Sequence, residues 1–179
     1  MHPFKHFLTI TRHRHLVMKY GFKLGIGFQT LRHDLSKFSW IEFSNGAKYY
    51  QGTRSPNDAE RATRGYSLAW MHHKGRNKHH YEYWIDVNPL TKKYEPIAIP
   101  NKYLKEMLCD RIAASKIYKG KEYNNSSAYD YFMTHTGRIN MHPSSAIIME
   151  KWLKMLKDEG EKKTFKFIKQ NYPNKRKKI

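Results

Sequence analysis

Apolar residues in this chain recur at three- and four-residue intervals along most of its length, with no stretch that reads as a convincing strand. That spacing puts them on one face of an α-helix and therefore dictates packed helices. Leu16, Val17, Tyr20 and Leu24 predict a helix over 11–24, with Gly25 as its stop. A short helix is expected over 28–35, carrying His33 and Asp34 near its C-terminal end. Ser39 with Glu42 three residues later reads as a capping box opening a helix to about Tyr50. After a polar loop over 51–57, Asp58 is a suitable N-cap for a helix through Ala62, Tyr66, Ala69 and Trp70 to His73. A basic loop over 74–78 interrupts it and 79–84 resume it.

Residues 86–100 hold three prolines and read as an irregular connection, placed to act as a lid. Pro100 suits the first turn of a helix through Tyr103, Met107, Leu108 and Ile112 to Tyr118. Beyond it come a loop over 119–127 and a short aromatic helix near 129–133. A helix capped near Ser144 then carries Ile148, Trp152, Met155 and Leu156 on one face and ends at Gly160. A last amphipathic helix holds Phe165, Phe167 and Ile168. The expected fold is an all-α, single-domain helical bundle over 1–172, followed by a disordered basic tail over 173–179.

A chain of 179 residues is long enough for one domain with a real core. Its 34 lysines and arginines against 15 acids give a net charge of +19, which favours anionic partners: nucleotides, with nucleic acid as a second class. Cys109 is the sole cysteine, excluding an intramolecular disulfide and a cysteine-rich zinc site. The first residues lack the unbroken apolar core of a signal peptide, and no stretch approaches the roughly 18–20 apolar residues of a membrane span. The expected address is the cytoplasm, with no membrane partner.

The chemistry centres on His33-Asp34. Adjacent nitrogen and oxygen ligands suit Mn, Fe or Zn, with Mg also feasible, and Lys37 could meet an anion at the metal. His13, Asp110 and the histidines of 72–80 are the candidates to complete the shell. The blander readings are a basic surface stripe for His13, flanked by Arg12, Arg14 and His15, and a salt bridge to Arg111 or Lys105 for Asp110. Asp110 falls mid-helix, where an aspartate is neither a cap nor favoured. Residues 72–80 pack four histidines, two lysines and an arginine, which repel one another unless a metal, an anion or neutral imidazoles relieve them. His72 and His73 are assigned to the metal or catalytic side. Arg76, Lys78, His79 and His80 are assigned to a phosphate cradle, where a guanidinium offers bidentate contacts.

His13-x-x-x-Val17, the run His33-Asp34-Leu35-Ser36-Lys37 and the helix with Cys109-Asp110-Arg111-Ile112-Ala113-Ala114-Ser115 together resemble the HD-domain superfamily, most strongly over 11–120. The resemblance implies a helical fold and a divalent-metal phosphohydrolase. In it His13, His33, Asp34 and Asp110 hold the first metal, and Lys37 contacts substrate phosphate or the attacking water. His72-His73 look like the paired histidines of the two-metal branch. That branch places another ligand between positions 37 and 72, where this chain has no histidine, so Glu60 or a member of His79-His80 would have to substitute. One metal site is thus implied and a second left open. The stretches KYYQGTRSPNDAE and HHKGRNKHHYEYW also look like a bacterial and phage family known by these motifs.

The expected activity is hydrolysis of a phosphoester or phosphoanhydride, most plausibly of a nucleotide, cyclic nucleotide or oligonucleotide. Asp34 or Glu42 would accept the proton. No P-loop is present. Two other classes stay open: a non-catalytic basic nucleic-acid binder, and a histidine-rich ββα-metal nuclease built on 72–80 with Asn77. The nuclease would need a hairpin ahead of a helix.

Overall fold

Helix α1 (Pro3–Lys23) buries His6, Ile10, His13, Val17 and Tyr20, and Leu24 at its C-cap continues the row. The spacing is alternately four and three residues, the stripe of a helix that packs along its whole length. The apolar pattern alone places its start at 11. The helix begins at Pro3 because His6 occupies a stripe position that a purely apolar count skips, and proline fits a first turn. His13 lies on the buried stripe while His15 faces solvent.

This computed structural model describes residues 1–134 and 137–174, which form one helical domain. After α1 come α2 (Gly27–Thr30), α3 (Trp40–Lys48), α4 (Pro56–Arg64) and α5 (Leu68–Lys74). Then follow α6 (Asn101–Lys119), α7 (Ser127–Thr134), α8 (Gly137–Asn140) and α9 (Pro143–Asn171). Helix α6 is the axis, and α1, α7 and α9 each pack against it. Leu104, Leu108 and Ile112 are fully buried against a core that includes Trp152, Leu153 and Leu156. Each such side chain contributes roughly 1.5–3 kcal/mol by leaving water. No helix among the described residues is long and apolar enough to cross a membrane.

Several local expectations are corrected. The helix expected over 28–35 stops at Thr30, and the chain passes through turns and a left-handed Asp34 (φ 55°) into a short 3-10 turn, Leu35–Phe38. Ser39 stands at the N-cap of α3 but makes no capping bond, and Glu42 is drawn elsewhere. The helix expected from Asp58 to His73 breaks at Gly65 (φ 81°) into α4 and α5. Ser55 caps α4 through Asn57 N, leaving Asp58 to pair with Arg61 at 2.7 Å.

Residues 79–84 form only a 3-10 turn, Tyr81–Trp84. The irregular connection contains an antiparallel hairpin, β1 (Ile85–Val87) with β2 (Tyr94–Pro96), in register Ile85 to Pro96. Its strands of three residues are too short for a period-two signal to show. Pro100 is the N-cap of α6 rather than its first residue, and His142, not Ser144, caps α9. The break expected at Gly160 exists as a kink within α9 (φ 77°, ψ 173°). The tail was expected from 173, but Asn174 is tied to Lys105 Nζ (2.8 Å) and Gly25 O (2.8 Å). Residues 175–179 lie outside the described residues.

Gly21 sets the approach of α1 to α2: a Cβ there would collide with the buried Thr30 side chain. Gly21→Ala is expected to destabilise by about 1–2 kcal/mol, the overpacking cost less the gain in helix propensity. Gly75→Ala, which meets only Met71 O at 3.7 Å, is expected to leave the melting temperature unchanged or raised. Thermal denaturation of the two variants checks this.

Burial, together with the Lys37 charge, pulls the His6 imidazole from 6.5 down to about 4. A group lowered in this way is neutral in both states above 6.5, and only the unfolded chain takes up the proton as pH falls toward 4, so its stability contribution is lost across that window. His6→Gln is expected to reduce the fall in melting temperature between these pH values, read from a pH series of thermal melts.

Candidate metal centre

In a continuous helix, consecutive side chains diverge. The left-handed turn at Asp34 instead lets His33 and Asp34 point into one cluster. A non-glycine residue in this conformation is costly, and aspartate is among those that tolerate it.

Asp34 is fully buried, and its two oxygens face different partners. Oδ2 lies 3.5 Å from His13 Nε2, 3.3 Å from His33 Nε2 and 2.6 Å from Lys37 Nζ. Asp110 Oδ1 closes this side at 3.0 Å from His13 Nε2 and 3.7 Å from His33 Nε2. Oδ1 of Asp34 lies 3.2 Å from His73 Nε2 and 3.4 Å from His79 Nε2, while His73 Nε2 and His80 Nε2 are 2.9 Å apart.

These separations fit a cation at the centre of each group. Ligands at about 2.0–2.2 Å from a first-row metal stand about 2.9–3.5 Å from one another, depending on geometry. Two chemical details agree. His13 Nε2 and His33 Nε2 approach to 3.3 Å, as the His73–His80 pair does, and two imidazole nitrogens cannot both be acceptors there without something between them. Asp34 Oδ1 and His79 Nε2 are buried without a well-formed hydrogen bond, and Asp34 Oδ2 has only its ion pair with Lys37 and the facing imidazoles. The donor sets His13, His33, Asp34, Asp110 and Asp34, His73, His79, His80 could each hold a divalent ion.

The outer nitrogens of the imidazoles are held by carboxylates. His33 Nδ1 donates to Glu106 Oε1 at 3.0 Å, which also lies 3.4 Å from His79 Nδ1. Glu42 takes His73 Nδ1 at 2.7 Å and His72 Nδ1 at 2.6 Å. Donation from Nδ1 leaves the Nε2 lone pair facing inward, the tautomer a metal requires. His33, His79 and Glu106 also have ligand spacing, but the Nε2 atoms already face Asp34, so Glu106 acts as a bracket.

The charges respond accordingly. Burial pushes the Asp34 carboxyl up, but His33, Lys37 and His73 outweigh it and hold Asp34 well below its usual range. Asp110 is likewise held low by His13 and His33 against its burial. Burial opposes ionisation of Glu106 too, yet His33 and His79 bring it to about 2. His80 is pushed well down by burial and by its neighbours His79 and His73.

Residues 2–155, which contain every group named in this centre, match a family described as "Family of unknown function (DUF5662)". The chain belongs to that family. No curated protein and no solved structure matches it.

Within this DUF5662 chain, His13, His33, Asp34 and Asp110 converge as one group, and Lys37 joins them through Asp34. Asp110 makes no salt bridge with Arg111 or Lys105 among the described residues; Arg111 lies over the Phe132 ring, 5.0 Å away, and Lys105 reaches Leu24 O. His73 joins the second group, but His72 does not, being held at the edge by Glu42. His79 and His80, assigned from sequence to a phosphate cradle, come to Asp34 with ligand spacing instead. Arg76 and Lys78 stay outside: Arg76 donates to His72 O, and Lys78 lies over the Tyr83 ring at 5.4 Å.

Glu60, the other substitute considered, is buried by capping α5 through Leu68 N and Ser67 Oγ. The hairpin does precede a helix, α6, but the histidines of 72–80 lie ahead of it on α5 and the turn that follows, and neither the hairpin nor α6 carries a histidine, so a ββα-metal arrangement built on them is not formed. Glu106 was missed from the sequence, although it precedes Asp110 by one helical turn and so shares its face.

Purified protein supplied with Mn or Zn is expected to retain two ions per chain. Asp34→Asn should lose both, whereas His13→Gln and His80→Gln should each lose one. Glu42→Gln is expected to weaken one site about 10–100-fold, as removal of such brackets does elsewhere. Elemental analysis and metal titration read all four variants.

Proposed function

We propose that this protein is a divalent-metal-dependent phosphohydrolase of the HD-domain type, acting on a phosphoester of the nucleotide class. The observation that carries this reading is Asp34: one buried carboxylate between two sets of inward-facing imidazoles, with a lysine at its edge. Cations bound there would supply a Lewis acid for a phosphoryl oxygen and a water of lowered pKa.

The protein groups divide the remaining work. Lys37 keeps 28% of its side chain exposed while bonded to Asp34, so its ammonium can also stabilise charge gathering on a phosphoryl oxygen. Asp34 and Glu42 are at most 4% exposed, which suits holding better than proton exchange. Asp110, at 18%, is the most open carboxylate in the centre and the one placed to take a proton from water. The +19 charge would draw an anionic substrate toward this opening.

The charge also supports a second reading, a nucleic-acid binder whose affinity falls steeply with salt and ignores chelators. A panel of 4-nitrophenyl phosphate, mononucleotides and phosphodiesters separates the two. Metal-loaded protein is expected to hydrolyse a phosphomonoester or diester, to stop on chelation, and to lose about 100-fold or more in kcat with Lys37→Met. If protein carrying its full metal content turns over nothing in the panel, the phosphohydrolase reading is wrong.

A further inference from the structure

Beside Lys37 and Glu42 lies a cavity of about 50 Å³ whose lining does not include Asp34. Its walls come from α1, the Leu35–Phe38 turn, α3 and the loop after it, the start of α4, α5 and the end of α6. That volume has room for about four water molecules. The polar groups on its wall are His6, Thr9, Tyr50, Ser55, Asn57 and Tyr118, all uncharged or neutral at ordinary pH. Ile10 and Ala69 supply apolar wall. Lys37 and Glu42 are its only charged liners, and both belong to the side shared with the metal centre.

Three features show a built site. His6 is 94% buried by its 6% exposure, yet its Nδ1 has no hydrogen-bond partner. Gly46 makes room for that imidazole, since a Cβ there would collide with it. Thr9 Oγ1 donates to Lys5 O at 2.9 Å and so accepts from Tyr50 OH at 2.9 Å across the wall, which leaves a lone pair on each hydroxyl to accept from a ligand.

The lining excludes some occupants. A second phosphate would meet Glu42 and no cation except the one already paired with Asp34. An alkyl chain would leave His6 Nδ1 and the free lone pairs of Thr9 and Tyr50 unpaired. A small neutral group bearing several hydroxyls would satisfy them.

We propose that this cavity is a subsite for the pentose of the substrate, seating sugar hydroxyls against His6, Thr9 and Tyr50 while the phosphate lies at Lys37 and the metal centre. This rests on the phosphohydrolase reading and narrows it to pentose phosphate esters, whether nucleotides or free sugar phosphates. A site built to bond hydroxyls discriminates strongly against ligands that lack them, because its buried polar groups are then left unpaired. Thr9 and Tyr50 are the specificity-determining residues.

The test uses the full-length, metal-loaded protein. Calorimetry measures binding of ribose 5-phosphate, a nucleoside 5′-monophosphate and inorganic phosphate, alongside hydrolysis of 4-nitrophenyl phosphate. Wild type is expected to bind ribose 5-phosphate at least tenfold more tightly than phosphate. The shape-conserving double variant Thr9→Val, Tyr50→Phe should lose that preference yet keep phosphate binding and aryl phosphate hydrolysis. Thr9→Val alone, which leaves the aromatic wall intact, should show a partial loss. Tighter binding of the mononucleotide than of ribose 5-phosphate would mark nucleotides as the source of the sugar. If phosphate binds and aryl phosphate is hydrolysed but ribose 5-phosphate binds no better, the subsite is refuted and the phosphohydrolase reading stands. If neither phosphate binding nor aryl phosphate hydrolysis occurs, that reading falls and the subsite with it.

Discussion

Everything in this molecule's centre depends on one buried negative charge. Removing a carboxylate from water costs several kcal/mol unless opposing groups replace the lost hydration. Asp34 meets imidazoles on both oxygens and an ammonium on one of them. Those groups come from α1, α5, the segment after α5 and the turn that carries Asp34 itself. The helices meet around these converging polar side chains where a hydrophobic core would otherwise run.

The two glutamates repeat one device. Glu106, on α6, brackets His33 and His79; Glu42, on α3, brackets His72 and His73. Each glutamate thereby ties distant pieces of chain and sets the face that the imidazoles present to Asp34. Four of the chain's 15 acidic residues stand in this centre, so the outer surface is more basic than the composition alone suggests. A positive exterior around a ligand-rich interior suits a site whose substrate is an anion and whose cofactor is a cation.

Much of this was legible in advance where the signal is local. The heptad-like stripe of α1 selects His13 over His15, because burial follows helical spacing. Asp110 stood out as an aspartate in mid-helix, and the crowding of positive charge over 72–80 pointed to a compensating centre. Glu42 was noticed as a capping residue, since a serine three residues earlier makes the usual box. Its carboxylate goes instead to two histidines some thirty positions away, a preference no local pattern encodes. The hairpin at 85–96 escaped notice because three-residue strands carry no period.

By itself the sequence determined that the chain folds as packed helices, that His13, His33, Asp34 and Asp110 are residues that could hold a metal ion, and that the chain is strongly positive. Helical spacing and the chemistry of side chains are local properties, readable residue by residue. Only the tertiary structure decided that Asp34 presents its oxygens to two different groups, that His79 and His80 face it, that His72 does not, and that a hydroxyl-lined cavity opens beside Lys37. Those outcomes hinge on a left-handed turn at one aspartate, on Gly21 and Gly46 admitting Thr30 and His6, and on carboxylates reaching across the fold. Each is a balance between residues far apart in sequence, and it exists only once the helices are packed.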